Sequence, residues 1–172
     1  MKNISVFAAG MIAPALAFAA FREMDDAQIA QVVITAHRMA IETGLLAATK
    51  SSNPEVRTFA QRKISDHEAL NKRATELVDK LELPPRDSTI NQELRLDSET
   101  GFPQLAVMDG TDFDKAYIDH NVILNQHMLD TIDNRLMPRA SSEQLKALLY
   151  NMFAPLSDHL EHAQQLQGSL NN

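Results

Sequence analysis

PPRDSTINQELRLDSETGFPQLAVMDG, Pro84–Gly110, is a polar stretch opened by two prolines and closed by a glycine. It is too long for an ordinary turn between packed elements. Fully extended it would reach about 90 Å, against roughly 40 Å for a helix of some 25 residues. It can therefore run the whole length of a helical bundle. Leu94, Leu96, Leu105 and Val107 are the residues expected to lay it on the bundle's side, by way of a short helix.

On both sides of this stretch apolar residues recur at helical spacing. Asp25 or Asp26 can cap a first helix reaching Lys50, with Ile29, Val33, Ala36, Ala40 and Ala47 on one face. Asn53-Pro54 supplies a cap and a first-turn proline for a second helix carrying Val56, Ala60, Ile64, His67, Ala74, Val78 and Leu81. Beyond the crossover, Thr111 can cap a third helix with Phe113, Tyr117, His120, Leu124 and His127 on one side, ended by Pro138. Ser141 and Gln144 spell a capping box for a fourth, lined by Leu145, Leu148, Met152, Leu156, His159, Ala163 and Leu166 and bent at Pro155. The connections Ser51–Asn53 and Arg139–Ala140 are tight, so each pair of helices forms an antiparallel hairpin. The expected fold is all-α: a ferritin-like antiparallel four-helix bundle of two hairpins joined by one long crossover.

Composition agrees with packed helices. The 172 residues suffice for one core, 44% are hydrophobic and only 5% aromatic. Residues 1–19, MKNISVFAAGMIAPALAFA, read as a secretory signal: one lysine, an apolar run, then the small-x-small ending Ala17-Phe18-Ala19. Residues 20–172 are then the mature single domain, and the expected location is the periplasm. Removing Lys2 with the leader takes the formal charge from −7 to −8. Such a charge opposes nucleic acid and anionic membrane surfaces as partners. No later stretch is apolar enough to span a membrane. There is no cysteine, so the fold relies on its core without a disulfide. The acidic exterior offers a surface to another envelope protein.

Two stretches nearly repeat each other, ISDHEAL (Ile64–Leu70) and LSDHLEH (Leu156–His162). Ser, Asp and His in sequence suggest a hydrolase, but consecutive helical side chains point about 100° apart and cannot converge on one atom. No glycine-flanked serine elbow is present either. The repeat marks equivalent positions in the two hairpins, and no catalytic residue is assigned.

The histidines form a more interesting set. His67, His127 and His159 each fall on the apolar stripe of a different helix, and His120 precedes His127 by one heptad. His37 and His67 lie equally far from Ser52, at the middle of the first turn, which puts them level across an antiparallel pair. The same counting sets His120 level with His159. Bundle interiors hold metal sites, and neutral imidazole is a common ligand. A bridged di-iron centre is not expected, because no Glu in the chain has a His three residues later. Glu42 is the one carboxylate expected near the inner face of the first helix, with Asp66 a solvated flank. The candidate metal set is therefore His37, His67, His120, His127 and His159, suited to copper or zinc, with Met128 or Met152 nearby. The alternative is that the same histidines form a buried polar network in a structural or stress-related envelope module.

Three segments together resemble the exported bacterial family known as domain of unknown function 4142, regarded as ferritin-like. They are IETGLLAATKSSNPEVRTFAQRKISDHEALN, MDGTDFDKAYIDHNVILNQH and APLSDHLEHAQQL. They match its Glu-x-Gly-x-x-Ala, Phe-Ala-x(5)-Asp-His, Gly-x-x-Phe-Asp-x-x-Tyr and Pro-Leu-x-x-His-Leu runs, over about Ala27 to Leu166. The resemblance implies that the family's histidines fall on His67, His127 and His159, and its tyrosine on Tyr117. Lys63 stands where the family often has a methionine. The resemblance implies a fold and an exported location, and no reaction.

Overall fold

A computed structural model describes Met24–Asn171, and the described residues are all-helical, with no strand. The expected signal segment, residues 1–19, lies outside them. Asp25 caps α1 (Asp26–Lys50) through a capping box: the Gln28 amide donates to Asp25 Oδ1 at 2.9 Å, and the Asp25 amide to Gln28 Oε1 at 3.1 Å. Asn53 Oδ1 accepts the Glu55 and Val56 amides at 2.8 and 3.3 Å and opens α2 (Pro54–Lys80) with proline in its first turn. α1 packs along α2. Gly44 permits the close approach, since a Cβ there would lie 2.8 Å from Ile64 Cγ1.

The crossover is more regular than its sequence suggests. Most of it is a 19-residue helix, α3 (Thr89–Val107), capped by Ser88 and laid on α1. Leu94 and Leu105 are buried as expected, but Leu96 and Val107 point outward, 61% and 81% exposed. Both ends are pinned. Gln28 Nε2 donates to the Asp87 carbonyl at 2.8 Å, and Lys50 Nζ donates to the Ala106 carbonyl and pairs with Asp109, each at 2.8 Å.

α4 (Gly110–Thr131) starts one residue before Thr111, at a glycine with φ 57° that a Cβ-bearing residue would hold only under strain. Its end loosens into a π-helical turn, Ile132–Leu136, and a 3-10 turn, Met137–Arg139, so Pro138 falls in the terminating turn. Ser142, rather than Ser141, caps α5 (Glu143–Tyr150). Asp26 fixes this corner by accepting the Ser141 and Ser142 amides at 2.7 and 2.8 Å. The expected fourth helix is two: a turn at Asn151–Met152 separates α5 from α6 (Phe153–Leu170). Pro155 cannot donate to a preceding carbonyl, so it sits in the first turn of the new helix instead of bending a continuous one. α6 packs along α4, completing the second helical pair.

The core has two apolar clusters. One gathers Ile29, Val33, Leu70, Leu94, Ile132, Leu136, Leu145 and Leu149; the other gathers Ala47, Val56, Phe59, Phe113, Tyr117, Ile118 and Leu166. Along α1, α2, α4 and α6 one set of buried polar residues falls in sequence between these clusters: His37, then Lys63 and His67, then Asn121 and Asn125, then His159. The bundle therefore has a polar cross-section between two apolar ends.

Candidate functional site: a buried basic layer

This layer is where chemistry-bearing side chains meet. His37 and His67, equidistant from the first turn, face one another with Nδ1 to Nδ1 at 2.9 Å. Two neutral imidazoles can share that contact only if one carries its proton on Nδ1 and the other on Nε2. The His67 ring stacks on His159, with centroids 5.4 Å apart and planes 29° apart. His159 Nε2 contacts Asp66 Oδ2 at 2.9 Å, as a donor to the carboxylate. Phe59 sets its ring edge-on to His159 and to His162.

Lys63 lies one turn before His67 and is 1% exposed. Its ammonium donates to Asn121 Oδ1. No salt bridge joins it to a carboxylate among the described residues. The Asn121 side-chain amide donates to the Tyr117 carbonyl, and that of Asn125 to the Asn121 carbonyl, both at 2.7 Å. Each asparagine therefore ties its amide to its own helix and keeps its side-chain oxygen as an acceptor. A lysine, three histidines and two asparagines occupy one buried layer.

Burial sets the protonation of this layer, because taking a charge out of water disfavours the charged form. It lowers His37 from 6.5 to about 4 and Lys63 from 10.5 to about 8. His67 falls well below the ordinary histidine range, first through burial, then through Lys63, His37 and His159 around it. Burial also lowers His159, against the opposing hydrogen bond from Asp66. The phenol of buried Tyr117 is pushed up. Near neutral pH the imidazoles are uncharged.

Three of the five candidate histidines meet here: His37, His67 and His159. The other two do not join them. His127 is exposed, and half-buried His120 lines a separate surface cleft with His127, Asp97 and Ile123. The inner face of α4 is Tyr117, Ile118, Asn121, Asn125 and Met128, turned about one residue from the stripe that runs through His120, Leu124 and His127. Glu42 is exposed in a groove with Arg38 and Arg95 instead of facing inward. Asp66, expected as a solvated flank, is the half-exposed partner of His159. Among the described residues no three His, Asp or Glu side chains are grouped so as to hold a metal ion.

Beside the His37–His67 pair lies a cavity of about 20 Å³, lined by His37, Lys63 and His67 with Met39, Met128 and Met152. It has room for roughly one water-sized occupant.

The sequence of residues 12–166 matches the family model described as Domain of unknown function (DUF4142). The chain belongs to the DUF4142 family. No curated protein matches it. The DUF4142 chain is similar in fold to the crystal structure of a DUF305 protein from Streptomyces coelicolor, inferred to be secreted. The TM-score is 0.71 at 14% identity, over 84% of this chain and 92% of that one. Likeness at this identity speaks to the fold alone. No described helix is long and apolar enough to cross a membrane.

Proposed function

We propose that this DUF4142 chain is an exported, periplasmic helical module, ferritin-like in layout, that carries out no turnover of organic substrates. Its central histidines serve as a closed, uncharged network, and its acidic exterior meets another envelope protein. The observation that supports this most is the size of the space at the chemically capable groups. A cavity of about 20 Å³ is far below the roughly 300 Å³ or more of a pocket that binds an organic ligand. The signal-like residues 1–19 support export, and the formal charge of −7 supports a protein partner over an anionic polymer.

A test uses protein recovered from the envelope fraction, whose first residue is expected near Ala20. Under native conditions an amine-acylating reagent should modify Lys72, 77% exposed, and leave Lys63 intact by peptide mass mapping. After denaturation Lys63 should react like the others. Rapid acylation of Lys63 in the native protein would show an open centre and end this reading.

A further inference from the structure

The groove between α1 and α3 is lined by charges that the fold leaves largely unused. Arg38, Met39 and Glu42 of α1 stand on one wall and Arg95, Ser98 and Glu99 of α3 on the other, around a space of about 310 Å³. We propose that this groove binds a dipeptide with free termini, its carboxylate between Arg38 and Arg95 and its ammonium between Glu42 and Glu99. The charged lining lies outside the buried layer, so this inference goes beyond the closed centre and does not depend on it.

Two tie points set the levels of the charges. Gln28 holds Asp87 and Lys50 holds Ala106, so α3 runs in the same direction as α1, with residue numbers 59 apart at the start and 56 apart at the end. Arg38 and Arg95 differ by 95 − 38 = 57, and Glu42 and Glu99 by 99 − 42 = 57, both inside that range. Each pair is therefore level across the groove. The two carboxylates follow the two guanidiniums by one helical turn, about 6 Å along the axis.

Arg and Glu four residues apart ordinarily pair along their own helix. Here Arg38 and Glu42 form no salt bridge among the described residues, and Arg95 reaches Glu99 only at 4.0 Å. Like charges stand level across the groove instead, and an ion of opposite sign between them relieves each pair. A lone anion at the arginines would lie one turn from two carboxylates, and a lone cation at the glutamates one turn from two guanidiniums. The set selects a molecule that carries both signs.

Spacing selects the dipeptide. A free amino acid bears both charges on one carbon, too close together to reach both levels. Two extended residues span at most about 7 Å, close to the separation of the levels, whereas three would span about 10 Å. Ser98 falls between Arg95 and Glu99 and offers a hydroxyl to the peptide group. Met39, between Arg38 and Glu42, gives small side chains an apolar surface. The space of about 310 Å³ is at the lower end of pockets that take small organic molecules.

The experiment titrates the ¹⁵N-labelled mature protein with alanyl-alanine at low ionic strength and follows backbone amides by NMR. Saturable shifts are expected at Thr35, Arg38, Ser98 and Glu99, weakening as salt is added. N-acetyl-alanyl-alanine, alanyl-alanine amide, free alanine and 4-aminobutyrate should each bind about tenfold or more weakly, since each lacks a charge, the spacing or the peptide group. The double variants Arg38→Gln, Arg95→Gln and Glu42→Gln, Glu99→Gln change exposed side chains, so both should keep their helical circular dichroism and lose the dipeptide. The acetylated dipeptide should bind the glutamate double variant better than the wild type, because its carboxylate no longer meets two anions. No saturable shift at millimolar dipeptide, equal binding of either blocked form or of free alanine, or undiminished binding in either variant would overturn the site. Equal binding of 4-aminobutyrate would overturn the dipeptide as its occupant.

Discussion

Acidification from pH 6.5 to pH 4 is expected to remove a large part of the protein's stability, and to do so through the buried histidines. His37 titrates at about 4 in the folded protein and at 6.5 as a free side chain. Across that window the unfolded chain holds more protons than the folded one, so stability falls as pH falls, and it levels off only below the folded value. A difference of this size amounts to roughly 3 kcal/mol. His67 is also held well below the ordinary histidine range, first by burial and then by Lys63, His37 and His159, and adds to the loss. Asp66 opposes the trend at His159 without reversing it. Typical domains are stable by only about 5–15 kcal/mol, so unfolding near the lower end of the window is the expected outcome. Urea melts at successive pH values measure it. In the double variant His37→Leu, His67→Leu the acid midpoint should move down. An unchanged midpoint would rule out the buried histidines as the source of the acid sensitivity.

Lys63 should show the opposite end of the same physics. Its folded value of about 8 lies below the ordinary 10.5 because the ammonium is wholly buried. Here too the unfolded state binds the proton more tightly, so the wild type gains stability as pH rises from 8 to 10.5. The cost at neutral pH is roughly 3 kcal/mol. Lys63→Met keeps much of the side chain's volume and removes the charge. It also leaves Asn121 Oδ1 without its donor, a loss of about 1–3 kcal/mol. The two effects nearly offset each other at pH 7. The clear signal is therefore the difference in unfolding free energy between wild type and variant. It should shift by roughly 3 kcal/mol in favour of the wild type between pH 8 and 10.5, and stay flat below. A difference that does not change with pH would mean that Lys63 is hydrated.

The parts of this structure that could be read from sequence are those in which local rules and tertiary packing agree. Asp25 and Asn53 cap α1 and α2 as their types suggest, and the equal spacing of His37 and His67 from Ser52 becomes a direct ring contact. Where polar side chains make the core, the reading failed. Asn121 and Asn125 look solvent-facing by type, which favours a stripe on α4 through His120 and His127, whereas both asparagines are buried and His127 is exposed. Lys63 sits on the buried face of α2 between Ala60 and His67, where no rule based on residue type would put a lysine. Gly101 and Pro103 likewise make the crossover's helix look shorter than the 19 residues of α3, which runs on through both.

The central claim is that the layer of His37, His67 and His159 is buried and uncharged at neutral pH. Long-range nitrogen–proton NMR of the ¹⁵N-histidine-labelled mature protein tests it most directly, since ring nitrogen shifts distinguish imidazolium from each neutral tautomer. At pH 7 the account predicts three neutral rings. His37 and His67 should hold opposite tautomers, one protonated on Nδ1 and the other on Nε2, while His159 carries its proton on Nε2 toward Asp66. None of the three should titrate near 6.5 while the protein remains folded. Imidazolium at His37 or His67 at pH 7, or an ordinary titration of either ring in the folded protein, would contradict it.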